Sequence, residues 1–100
     1  MATLIGMAPL TDAETREAVQ DALDALPDAI AEQLAGVAVI VEDRHPDHLM
    51  GMFDPRGGLQ RIVIFREANP TAAEVRKTVW HEVGHYFGMD EDHIRGLGYG

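Results

Sequence analysis

Apolar residues recur along this chain with two different spacings. After Thr11-Asp12-Ala13-Glu14, a capping-box pattern, Val19, Ala22, Leu23, Leu26, Ile30 and Leu34 follow at helical spacing. A helix is expected from about Asp12. Pro27 has no backbone N–H, so the helix either ends at Leu26 and restarts at Asp28 or bends there, with Gly36 as the final stop. Val37 to Val41 is an unbroken apolar run between Gly36 and Glu42-Asp43-Arg44 and predicts a buried strand. Leu49 to Phe53 predicts a second strand, in which Gly51 points to an edge or a close backbone approach. Asp54-Pro55-Arg56-Gly57-Gly58 is a turn, and Ile62 to Phe65, apolar on both faces, predicts a central strand.

Helical spacing returns after Asn69-Pro70. Thr71 is a natural N-cap, Glu74 completes a second capping box, and the helix can run to Gly88. Val75, Val79, Trp80, Val83, Tyr86 and Phe87 gather on one face, His81 and His85 lie opposite with Glu74 and Thr78, and Glu82 sits on the border. Asp90 would cap a short last helix containing Ile94 and Leu97. The order helix, strand, strand, strand, helix predicts an α+β fold. In it a small three- to four-stranded twisted sheet packs on the N-terminal helix and on the helix that carries the histidines.

Composition narrows the function. With 100 residues, 46% apolar and 25% charged, the chain reads as one domain over 1–100. Met1 to Leu10 is read as a lead-in that can be mobile, without the basic start or length of a secretory core or a membrane span. Seventeen acidic against eight basic residues give a net charge of −9, which repels phosphate backbones and anionic lipid and so speaks against nucleic-acid and membrane partners. Cysteine is absent, which fits a cytoplasmic protein and leaves His, carboxylates and water as the only ligands for a metal. Nothing in the sequence speaks to oligomeric state.

Against this background His81-Glu82-Val83-Gly84-His85 stands out. Two imidazoles four residues apart stack on one side of a helix and can share a metal ion. Catalytic zinc takes three protein ligands and keeps one position for water, beside which Glu82 would act as general base. Two surface histidines on an amphipathic helix are the plain alternative. The placed glutamate and the length of the helix favour the Zn2+ site. His45 and His48 are also possible ligands, but Pro46 between them and a loop setting make that a weak pattern.

Taken together, Ala22-Leu23-Asp24-Ala25-Leu26-Pro27, Val39-Ile40-Val41-Glu42-Asp43, Met50-Gly51-Met52-Phe53 and His81-Glu82-Val83-Gly84-His85-Tyr86-Phe87-Gly88-Met89 through Leu97-Gly98-Tyr99 resemble the small bacterial zincin-like metallopeptidase family over about residues 12 to 99. The resemblance implies a minimal zincin-like fold, zinc on the active-site helix, and a peptide or protein substrate. It also implies that the edge strand at Met50, Gly51 and Met52 can pair with an extended substrate, the alternative being a purely structural strand. The HExxHxxG core is similar to that of the metzincins, in which a third His follows six residues after the second; here that position is Glu91, with His93 two residues on. Register favours Glu91 as third ligand and ligand preference favours His93. Equally, Glu91 can be a first-turn acid and His93 a surface residue, with water completing the site. Tyr86 and Tyr99 are candidates to hold the oxyanion, although Tyr86 projects toward the apolar face.

Two functions follow: a zinc-dependent peptidase, or a metal-binding, catalytically weak or inactive module acting through a protein partner. A helix-and-sheet interaction protein without metal is a third. Zinc titration of Glu91→Ala and His93→Ala at one pH should show about a tenfold or larger rise in Kd for whichever residue is the ligand. Wild-type affinity in both would exclude both.

Overall fold

A computed structural model describes residues 9–90 and 92. Helix α1 spans Asp12–Asp24 and is capped as expected: the Thr11 backbone N–H donates to Glu14 Oε1 at 2.9 Å and the Glu14 N–H donates to Thr11 Oγ1 at 3.1 Å. It ends at Asp24 with Ala25 as its cap, two residues short of Leu26, because the residue before a proline is pushed out of the α region. After Pro27 a short helix, α2, covers Asp28–Gln33 and stops before Gly36.

Strands β1 (Ala38–Glu42), β2 (Gly51–Asp54) and β3 (Arg61–Phe65) form one sheet in the order β1-β3-β2. β1 runs parallel to β3 and β2 antiparallel to it, with Ile40 and Met52 flanking Val63 from either side. β3 is central, as its two-sided apolar pattern requires, and Ile62 to Phe65 are buried. β1 is only half-buried, contrary to expectation, because it forms an edge of the sheet. β2 is shorter than predicted: Leu49 and Met50 precede it and are 40% and 41% exposed.

Helix α3, Ala72–Tyr86, lies across α1 and the sheet. Thr71 caps it by accepting the Glu74 N–H at 3.1 Å. Val75, Val79 and Val83 meet Ile62, Ile64, Ala18, Val19, Ala22 and Leu34 in one core, against which Trp80, Tyr86 and Phe87 pack. Two of these aromatics also satisfy carbonyls left open where helices end: Trp80 Nε1 donates to Ala22 O at 2.9 Å and the Tyr86 hydroxyl to Gln33 O at 3.2 Å. α3 ends at Tyr86, two residues before Gly88. Gly88 takes φ +81°, and the N–H groups of Gly88 and Met89 return to His85 O and Gly84 O at 2.9 and 3.0 Å. The last helix expected after Asp90 falls almost wholly outside the described residues. No described helix is long and apolar enough to cross a membrane.

The turn after β2 holds an ion cluster that its sequence did not announce. Asp54, 4% exposed, accepts from Arg56 Nε at 2.8 Å and from Arg61 Nη2 at 2.6 Å. Hydrogen bonds from Arg56 and then Arg61 hold its carboxyl well below the usual carboxylate range. A carboxyl depressed in the folded state stabilises above its unfolded pKa of about 3.9, and that contribution is lost as pH falls below it. Asp54→Asn should therefore lower Tm at pH 7, and its gap to wild type should narrow as pH drops below about 4. A gap independent of pH in thermal melts would count against this role.

Candidate metal centre

Between β2 and α3 lies a cleft of about 850 Å³, walled by Met50, Gly51, Met52 and Phe53 on the strand side and by Glu74, Lys77, Thr78, His81, Glu82 and His85 on the helix side. Helical geometry accounts for the second wall, since Glu74, Lys77 and Thr78, His81 and Glu82, and His85 recur at steps of three to four residues and share a face. The first wall belongs to an edge strand.

His81, Glu82 and His85 come together as one group whose ligand atoms all lie within 4.8 Å of one another. The imidazoles are half-buried and Glu82 is 7% exposed. His81 Nε2 and His85 Nε2 are 3.1 Å apart, their ring centroids 4.8 Å apart and the rings inclined at 70°. Two ring nitrogens at that distance either share a proton or turn both lone pairs to one cation. A metal fits. With Zn–N bonds of about 2.0–2.1 Å, this separation corresponds to an angle of about 100° at the ion, near the tetrahedral value.

Gly51 is where strand and helix touch. A Cβ there would stand 2.7 Å from Thr78 Cγ2, 3.1 Å from Val63 O and 3.2 Å from Glu82 Cγ, so a side chain at this position would press on the glutamate. The glycine in the middle of an apolar run was the signal for this contact. Asn69, by contrast, reads in the sequence only as part of the Asn69-Pro70 break ahead of α3. In the structure it is fully buried, its Nδ2 donating to Met50 O at 2.9 Å and Phe65 O at 2.8 Å while its Oδ1 accepts from Thr78 Oγ1 at 2.6 Å.

Other candidates lie elsewhere. His45 accepts the Asp47 N–H through Nδ1 at 3.0 Å and meets Phe65 edge-on at 5.3 Å, and His48 occupies a turn at φ +59°. Neither belongs to the His81, Glu82, His85 group. Tyr86 spends its hydroxyl on Gln33 O and packs edge-on against Phe53 and Phe87, so it does not serve an oxyanion in the cleft. Glu91, His93 and Tyr99 lie outside the described residues.

Residues 54–99, which include β3 and all of α3, match the family model of the zincin-like metallopeptidases. Over that stretch, a little under half of its length, the chain is similar to this family. The small mixed sheet with the three α-helices among the described residues is consistent with a minimal zincin-like domain, and the His-Glu-His group can hold a metal within it. No curated protein matches the chain.

If this group holds zinc, His81→Ala or His85→Ala should weaken zinc binding by about two orders of magnitude or more, while His45→Ala and His48→Ala leave it nearly unchanged. Zinc near one equivalent per chain in purified His81→Ala, measured by elemental analysis, would contradict the assignment.

Proposed function

We propose that this protein is a zincin-like, zinc-dependent peptidase in which His81 and His85 hold the metal and Glu82 is the general base. The observation that carries the reading is the pair of Nε2 atoms 3.1 Å apart, with buried Glu82 beside them, opening on a cleft whose other wall is an edge strand. A third ligand is sought in Glu91 or His93, with water as the remaining choice. When bound, zinc supplies a nucleophile near neutral pH and a Lewis acid for the developing oxyanion. The Glu82 carboxylate takes the proton of the attacking water and passes it to the leaving amine, so that the charge it sheds is restored at the end of the cycle.

Strand register supports a place for the substrate. Phe65 N–H donates to Met50 O, and Met52 and Asp54 stand opposite Val63 and Arg61, so alternation along an antiparallel pair turns the main-chain groups of Gly51 and Phe53 away from β3. An extended peptide would add to this edge through those groups, with its scissile bond over the histidines. The net charge of −9 disfavours nucleic acid and anionic membrane as alternatives to a peptide or protein, and the lack of cysteine is in keeping with the cytoplasm.

Glu82→Gln retains the size of the side chain and is not a proposed ligand, so it should keep zinc while peptide cleavage falls by about 10²–10⁴-fold. Cleavage at the wild-type rate by purified Glu82→Gln would place the activity elsewhere. Zinc binding without cleavage in wild type would favour a metal-binding module that acts through a partner.

A further inference from the structure

We infer that Asn69 is a positioning residue: through Thr78 and the Met50 carbonyl it holds β2 and the Glu82 turn of α3 at one separation and so sets the width of the cleft. The inference rests on the peptidase reading for its catalytic consequence, but the geometry stands without it.

Asn69 is fully buried, and each of its three hydrogen bonds reaches a different part of the fold: the residue before β2, the last residue of β3, and α3. The orientation of its amide follows from the partners. Two carbonyls can only accept, so Nδ2 must face them, and Oδ1 then takes the Thr78 hydroxyl proton. Met50 O already receives the Phe65 N–H, so the asparagine adds its bond where the β2–β3 ladder reaches its end.

Packing alone would leave this junction loose. β2 has only four residues and lies at the edge of the sheet, and apolar contact with α3 is non-directional. The amide supplies direction. Thr78 and Glu82 are four residues apart and share a face of α3, and both would touch a Cβ placed on Gly51. The separation is therefore defined from two sides: Asn69 draws strand and helix together, and the missing side chain of Gly51 lets them meet. The strand that carries the main-chain groups of Gly51 and Phe53 is thereby held at one distance from the Glu82 side chain. A misplacement of about 1 Å between a substrate and a catalytic group can cost about 10²-fold in rate.

The test uses Asn69→Ala and two substitutions that spare the asparagine: Thr78→Val, which keeps the shape but loses the hydroxyl, and Thr78→Ser, which keeps the hydroxyl. Each is measured at a temperature where circular dichroism shows it folded, for kcat, KM, zinc Kd, and the nuclear Overhauser contact between Gly51 Hα and the Glu82 Hγ protons. Thr78→Val should lower kcat by about 10- to 100-fold, weaken the Overhauser contact, and change zinc Kd by less than about threefold, since both histidines remain. Thr78→Ser should recover most of the kcat loss. Wild-type kcat in Thr78→Val, or a loss that serine does not recover, overturns the proposal, because a purely structural hydrogen bond would move Tm alone. If Asn69→Ala does not fold, Thr78→Val decides. If wild type cleaves no peptide, the peptidase reading fails by itself; a contact weakened in Thr78→Val then still supports the positioning role, and an unchanged contact overturns it.

Discussion

Ile62 and Ile64 of the central strand are fully buried, and the side chains that bury them include Val75 and Val79, also fully buried, on the inner face of α3. Closing off a side chain of this kind from water is worth about 1.5–3 kcal/mol, and no polar contact at the surface competes with that. The consequence is a division of labour across one helix. Its inner face supplies cohesion, and the face toward β2 carries the polar residues: two imidazoles, a buried carboxylate and a threonine. The functional face is displayed by the packing of the face behind it.

That division explains what could be read from the chain alone. The start of α1, the N-cap of α3 and the co-location of His81 and His85 all depend on partners within a few residues, and short-range spacing records them. The partners of Asn69 are Met50, Phe65 and Thr78, up to 19 residues away, and nothing in the local pattern around Asn69-Pro70 distinguishes a buried bridge from a breaker. Asp54 hides in the same way. Its proline and glycine neighbours announce a turn, but only the pairing of β2 with β3 brings Arg61 to its carboxylate. The half-burial of β1 likewise depends on strand order, which an apolar run does not encode.

The early end of α1 shows a competition of another kind. Apolar spacing carries on through Leu26, so periodicity favours a longer helix, while Pro27 restricts the backbone before it. Local stereochemistry prevails because the apolar side chain keeps its contact with the core even after its backbone has left the helix: Leu26 still packs there, as do Leu23 and Ile30. Burial and helical geometry are separable at this point, and the chain gives up only the second.

Trp80 is the single tryptophan of the chain and directly precedes His81. Its indole nevertheless packs toward the core, bonded to the end of α1 and overlaid by the Arg76 guanidinium at 5.8 Å from the ring centroid. Neighbours in sequence, the indole and the first imidazole belong to different faces of the helix. The protein thus carries a built-in fluorophore whose emission reports how α1 and α3 are docked, while the histidine ring beside it in the chain looks into the cleft. Movement of α3 against α1 can thus be followed by light from one native side chain.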